Sequence, residues 1–253
     1  MANYSHDRIV PFKDSELGKK QQIAEMFDKI AFRYDFLNRF LSGGVDIFWR
    51  KRAIRQLRGL PVDAEILDVA TGTGDMAVLL ARYLPKVRIT GVDISEGMLQ
   101  VGRQKLAKMK LESRITLQPG DSEALPFPDD HFDAITVAFG ARNFENLENG
   151  LREMRRVLKP GGKLVVLEFS QPRIPVVCQL YRIYMRRIAP RIAGIAASNR
   201  DAYQYLNDSV QAFPEGGRLI GILETCGYAR TGLRRLSLGI CSVYTGEKVI
   251  NRN

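Results

Sequence analysis

The run Leu67-Asp68-Val69-Ala70-Thr71-Gly72-Thr73-Gly74-Asp75, followed downstream by Gly91-Val92-Asp93, carries the most chemistry in this chain. An apolar strand ends in a glycine turn, a helix follows, and a second strand ends in a carboxylate. In an α/β sheet that arrangement holds an adenosine: the glycines let the backbone close on the ligand, and Asp93 accepts hydrogen bonds from ribose hydroxyls. Gly72, Gly74 and Ala77 also satisfy the relaxed dinucleotide pattern, and a helix-capping turn without a ligand fits the same letters. Further candidates emerge at the same sheet edge. Asp121 suits the adenine amino group, Ser122 offers its backbone amide to the ring, and Ile94, Ser95 and Met98 flank it. Asp75 is expected to cap the helix after the glycine turn. Carboxylates around one pocket repel a pyrophosphate but tolerate a zwitterion with a cationic sulfonium.

The elements that must position these residues are legible from periodicity. Ile23, Met26, Phe27, Ile30, Ala31 and Tyr34 recur at helical spacing and predict an amphipathic helix over 21–38. Ser42-Gly43-Gly44 breaks the chain, and 48–57 reads as another helix. Strands are predicted over 65–70, 88–93, 114–118, 132–139 and 163–169, with helices over 75–84, 96–110 and 147–158. Lys159-Pro160-Gly161-Gly162 is expected to be a turn. A helical insertion follows Pro172 to about Phe213, then a helix over 215–226 and a hairpin of strands 228–236 and 238–248. Alternating strands and helices imply a parallel sheet covered on both faces, its edge closed by an antiparallel hairpin. That suits the seven-stranded, Rossmann-like α/β sheet of class I S-adenosylmethionine-dependent methyltransferases, with N-terminal helices and a helical insertion. The expected organisation is one domain: a helical cap over 1–60, a cofactor core over 61–170, the insertion over 171–214, and a final helix and hairpin over 215–253.

Composition narrows the class. The 253 residues suffice for one elaborated α/β domain, and no apolar stretch is long enough to span a bilayer. Residues 1–14 lack the apolar centre of a secretory signal. Cys178, Cys226 and Cys241 lie far apart, and with only His6 and His131 no zinc cluster is expected. These features predict a reducing, cytoplasmic setting. Lys and Arg number 38 against 28 Asp and Glu, a net charge of +10 that favours an anionic partner such as nucleic acid or lipid head-groups.

Several stretches are far more specific than the glycine turn. Met26-Phe27-Asp28-Lys29-Ile30-Ala31-Phe32-Arg33-Tyr34-Asp35, Asn38-Arg39-Phe40-Leu41-Ser42-Gly43-Gly44 and Trp49-Arg50-Lys51 lie in the N-terminal part. Ala124-Leu125-Pro126-Phe127-Pro128, Phe139-Gly140-Ala141-Arg142-Asn143, Arg156-Val157-Leu158-Lys159-Pro160-Gly161-Gly162 and Leu167-Glu168-Phe169-Ser170 follow. Together they resemble the ubiquinone/menaquinone biosynthesis C-methyltransferases, also called demethylmenaquinone methyltransferases, from about Ile23 to Lys248. The resemblance implies that S-adenosylmethionine contacts Thr73, Asp93, Asp121 and Ser122, with Gly72 and Gly74 in the loop beneath. Members often carry serine two residues before Gly-x-Arg-Asn, whereas this chain has Ala138.

The implied reaction moves a methyl group from sulfur to a ring carbon of a prenylated quinol, converting demethylmenaquinol to menaquinol; the sequence leaves open whether a ubiquinone precursor is also an acceptor. A phenol titrates near pH ~10, so at neutral pH the site must remove its proton or stabilise the phenolate. Arg142 is expected to stabilise the phenolate, directly or through water, and Asn143 to position the hydroxyl. Tyr34 and Asp35 are expected to lid the site. His131 precedes the fourth strand and so falls at the wrong edge of the sheet. The segment from Phe169 to Arg200 has no acidic residue, and Arg173, Arg182, Arg186, Arg187, Arg191 and Arg200 alternate with apolar positions. Such a basic amphipathic segment predicts peripheral attachment to the inner face of the cell membrane. Pairing of the N-terminal helices into a homodimer is a further expectation. The alternatives are an RNA methyltransferase on the same cofactor fold, without an appended RNA-binding module here, and a non-catalytic adenosine- or dinucleotide-binding module.

Overall fold

Seven strands form one sheet in the order β3-β2-β1-β4-β5-β7-β6. They are β1 (Glu65–Val69), β2 (Arg88–Asp93), β3 (Ile115–Pro119), β4 (Phe132–Ala138), β5 (Leu158–Phe169), β6 (Tyr228–Leu236) and β7 (Cys241–Lys248). This computed structural model describes residues 4–183 and 200–249. Neighbours among β1 to β5 run parallel, and β7 runs antiparallel to both β5 and β6. The predicted fold class is therefore the observed one. Strand order reverses at β1, so a crevice opens outside the carboxyl ends of β1 and β4.

Both sheet faces are covered, which is why Ile66, Leu67 and Val69 in β1 are all apolar and all buried. On one face lie α2 (Val45–Ile54), α3 (Asp75–Tyr83) and α4 (Glu96–Met109), whose Trp49, Leu80 and Leu99 share a core with Ile66 and Ile89. On the other lie α5 (Leu147–Val157) and α8 (Gly217–Thr225), whose Leu151, Met154 and Leu223 pack with Leu67 and Val137. In α5 the buried Leu147, Leu151, Met154 and Val157 follow helical spacing, leaving Arg152, Arg155 and Arg156 on the outer side.

The structure corrects several boundaries. Lys159 to Gly162, expected as a turn, lies inside β5: Phe132 pairs with Leu158, and the register then jumps to Ala134 with Lys163. Gly161, at φ +78°, absorbs the extra residues as a bulge. The helix predicted over 21–38 is α1 (Lys19–Ser42), which ends at Gly43 and Gly44, both with positive φ. The last strand begins at Cys241 because a 3₁₀ turn, Ser237–Gly239, occupies the start of the predicted span. The insertion contains α6 (Pro175–Ile183) and α7 (Arg200–Ala212). Arg186, Arg187 and Arg191 of the predicted basic segment lie outside the described residues.

Candidate active site

A cleft enclosing about 850 Å³, part of it open to solvent, lies over the tips of β1, β2 and β4 and beneath α1 and α2. Its walls include Tyr34, Gly72, Thr73, Asp93, Asp121, Ser122 and Asn143, so most of the residues expected from sequence meet in one place. Gly74 and Arg142 are not in the lining. Gly74 is the N-cap of α3 with φ +78°, a left-handed conformation that a side chain would strain. Gly72 (φ +59°) turns its amide to donate to Asp93 Oδ2 at 2.8 Å, and Ser95 N donates to Oδ1 at 3.0 Å. Each Asp93 oxygen keeps acceptor capacity for a ribose hydroxyl. Burial raises the Asp93 pKa against these amide bonds, which lower it.

The tips of β1 and β4 are strained where they meet. Ala70 (φ 52°) and Phe139 (φ 61°) are both left-handed, and both line the cleft. A Cβ on Gly140 would stand 2.4 Å from Ala70 Cβ, so only glycine allows this approach. Beneath them Asp68 is buried and accepts 2.6 Å bonds from the hydroxyls of Thr71 and Thr136. Burial pushes the Asp68 carboxyl up to about 6.

Helix α1 closes the cleft through charged residues. Lys20 Nζ lies 2.7 Å from Asp121 Oδ2 and 3.2 Å from Glu123 Oε2. Asp28 accepts from Ser95 Oγ at 2.6 Å and from Gly97 N at 2.9 Å. Asp35 accepts from Thr73 Oγ1 and pairs with Lys105. The Asp121 oxygens, expected to face adenine, therefore already accept from Lys20 and from the Glu123 amide at 2.9 Å. Asp75 does not cap its helix as predicted. It pairs with Lys105 at 2.8 Å and Arg39 at 3.0 Å, while Gly74 occupies the N-cap without a side-chain bond. Burial would raise the Asp75 pKa, but Lys105, Arg50 and Arg39 outweigh it and hold it below the usual range.

Arg142 is 5% exposed and committed elsewhere: Nη1 lies 2.9 Å from Glu168 Oε1 and also donates to the Phe139 carbonyl. The structure thus places the expected phenolate-stabilising guanidinium behind the cleft wall, as a tie within the Phe139 to Asn143 loop. Asn143 does reach the cleft, and Tyr205 Oη from α7 donates to its Oδ1 at 3.1 Å. That bond leaves the Nδ2 donors of Asn143 for another oxygen. His131 stacks on Phe127 at the amino end of β4, remote from the strand tips. Sequence reasoning assigned no site role to Lys20, Asp68 or Arg50, all of which line the cleft. Arg50 stood within a quoted motif, but its periodicity alone did not say which face of α2 it occupies. Among the described residues no group of histidine, cysteine and carboxylate side chains could hold a metal.

Comparison with known proteins adds to this geometry. Residues 15–248 match the ubiE/COQ5 methyltransferase family. A demethylmenaquinone methyltransferase of Bacteroides fragilis is 44% identical over 97% of this chain and 100% of its own length. A ubiquinone/menaquinone biosynthesis C-methyltransferase UbiE of Geobacter sulfurreducens is 48% identical over 95% of this chain and 93% of its own. Among solved structures, a SAM-dependent methyltransferase of Thermotoga maritima, a possible histamine N-methyltransferase, superposes with a TM-score of 0.63 at 20% identity. It covers 89% of this chain and 99% of its own, a likeness of fold.

Proposed function

The chain belongs to the ubiE/COQ5 methyltransferase family, and from that premise we propose that it methylates a ring carbon of demethylmenaquinol to give menaquinol. It is an S-adenosylmethionine-dependent C-methyltransferase. The observation that carries the substrate reading is Asn143, held by Tyr205 in the same cleft as Thr73 and Asp93, in a chain 44% identical to a demethylmenaquinone methyltransferase.

The residues fit the cofactor. Asp93 retains acceptor sites beside the glycine loop, and Ile94 and Met98 supply apolar lining next to Asp121 and Ser122. Bound there, S-adenosylmethionine supplies an electrophilic methyl group on a sulfonium. Asp93 binds the ribose hydroxyls, while Asp121 and Ser122 engage the adenine. Tyr34, whose Cε1 lies 3.9 Å from where a Gly72 Cβ would be, covers the loop and orients the acceptor ring. Phe27, at 5.8 Å and edge-on to Tyr34, excludes water from the same roof. The phenolic proton leaves to solvent at the open side of the cleft, and Asn143 Nδ2 donates to the resulting phenolate, which raises electron density at the adjacent ring carbon. Once that carbon is methylated, its hydrogen leaves as a proton and the oxygen is reprotonated, which restores the aromatic quinol. Arg142 acts through the loop: its bonds to Glu168 and Phe139 keep Asn143 in place.

The prenylated acceptor partitions into lipid, so the reading includes peripheral attachment at the cytoplasmic face of a membrane. The net charge of +10 and the exposed Phe32, Phe36, Ile174 and Val176 support it. Among the described residues no helix is long and apolar enough to cross a membrane. The test is transfer of labelled methyl from S-adenosylmethionine to demethylmenaquinol, to the methoxy-benzoquinol precursor of ubiquinone and to RNA. Turnover on the naphthoquinol is expected; labelling of RNA alone would end the proposal.

A further inference from the structure

We propose that Arg50 binds the α-carboxylate at the amino-acid end of S-adenosylmethionine, an inference that rests on the cofactor reading above. Arg50 projects from α2 into the cleft and is 6% exposed. Its Nε is buried without a hydrogen-bond partner. Among the described residues the nearest carboxylate oxygen, Asp46 Oδ2, stands 3.8 Å away and is already held by Arg39 Nη1 at 2.6 Å. The guanidinium carbon lies 5.2 Å from the centre of the Phe139 ring, so the fork is stacked at the tip of β4. A desolvated guanidinium with an unpaired N–H is a strong site for a planar anionic oxygen pair.

Position selects the anion. Asp121 follows β3 and Asp93 ends β2, whereas Arg50 stacks over Phe139 at β4 and its charge reaches Asp68 in β1 and Asp75 after it. Because the order is β3-β2-β1-β4, the adenosine-binding carboxylates and Arg50 lie at opposite ends of the cleft. Four adjacent strands spaced roughly 4.8 Å apart span on the order of 14 Å, enough for an extended adenosylated amino acid. An amino-acid end is zwitterionic. It needs a cation for its carboxylate beside an acidic group for its ammonium, and Arg50 with Asp68, whose oxygens each accept one hydroxyl and keep further acceptor capacity, provides that pairing. The other cation in the described lining, Lys20, sits at the far end with Asp121, Glu123 and Glu145.

The experiment is calorimetry with S-adenosylhomocysteine and with 5′-methylthioadenosine, which lacks the amino-acid end, on the wild-type protein and on Arg50→Gln and Arg50→Lys. Loss of a charge-assisted bond predicts that Arg50→Gln weakens S-adenosylhomocysteine about 10- to 100-fold. Binding of 5′-methylthioadenosine stays at the wild-type value, which also reports an intact fold, and Arg50→Lys recovers part of the loss. Equal weakening of both ligands, or none of either, overturns the proposal. So does unchanged cofactor affinity with a raised KM for the quinol, which would assign Arg50 to the phenolate instead. If the wild-type protein bound neither ligand, the cofactor reading itself would fail.

Discussion

At the scale of single residues, Asn143 and Arg142 are adjacent in the chain but differ in what they touch. Asn143 faces the cleft with its carbonyl oxygen engaged by Tyr205, so its amide is oriented before any substrate arrives. Removing a donor aimed at developing negative charge costs about 10²- to 10³-fold in turnover. We therefore expect Asn143→Ala to lower kcat by that order while S-adenosylhomocysteine affinity, measured by calorimetry, stays close to wild type. Arg142 and Glu168 form a buried pair, 5% and 1% exposed. Cutting one partner leaves an uncompensated charge and costs about 3–5 kcal/mol, whereas replacing both by apolar residues is far milder. Urea unfolding of Arg142→Met, Glu168→Met and the double variant should show this non-additivity. A double variant that folds and keeps turnover within an order of magnitude would confine Arg142 to holding the loop. The glycine turn and Asp93 were legible in sequence because strand, turn and carboxylate are local signals. The commitment of Arg142 was not, because Glu168 comes from a different strand.

At the scale of elements, α1 is the lid, and its contacts follow helical spacing. Lys20, Asp28 and Asp35 are separated by eight and seven residues, close to two turns each, so one face carries all three. They meet, in order, the loop after β3, the start of α4 and the loop after β1. The partly exposed ion pairs of Lys20 and Asp35 contribute at most about 1 kcal/mol each, and the hydrogen bonds accepted by Asp28 contribute about as much. Replacing Asp28 by Asn is thus expected to speed cofactor release only severalfold, with the fold intact. Stopped-flow fluorescence can follow this, since Trp49 is the only tryptophan and packs against Phe139 at the cleft wall. A release rate identical to wild type would remove Asp28 from the closure. The amphipathic stripe of α1 was readable in sequence, but its charged latch was not. Periodicity locates a face without saying which loops that face meets.

At the scale of the whole molecule, the N-terminal segment straps the fold and makes it acid-sensitive. His6 is the buried residue of a surface 3₁₀ turn, edge-on to Phe213, and Lys19 donates to the carbonyls of His6 and Phe144 at 2.7 and 3.0 Å. Burial, with Lys19 nearby, lowers the His6 pKa from 6.5 to about 3. Above pH 6.5 the imidazole is neutral in both states and stability is unaffected. Between pH 6.5 and about 3 the unfolded chain takes up a proton that the folded chain refuses, so stability falls as pH falls. Relative to His6→Phe, the wild-type protein should lose about 2–3 kcal/mol between pH 7 and pH 4.5 in denaturant titrations. Comparing the two proteins cancels the opposing contribution of Asp68, whose raised pKa favours folding at lower pH. Parallel pH slopes would show that His6 is not the sensor. The charge of +10 predicts salt-sensitive flotation with anionic liposomes and none with neutral ones. Flotation with neither would remove the membrane from the proposed function.

By itself the sequence determined the sheet and its antiparallel hairpin, the glycine turn, and the carboxylates that gather at the strand tips. Those follow from local rules, namely apolar runs, helical periodicity and turn residues, plus the short connections of alternating strands and helices. The bulge in β5 escaped that reading because lysine, proline and glycine carry the same turn signal whether a chain reverses or merely bends. Only the tertiary structure decided which arginine lines the cleft. Arg142 lies beside the motif yet is neutralised by Glu168 from the next strand, whereas Arg50 comes from a helix that precedes the whole sheet. Charge in a cleft depends on pairing between distant elements, and that pairing is set by packing rather than by spacing along the chain.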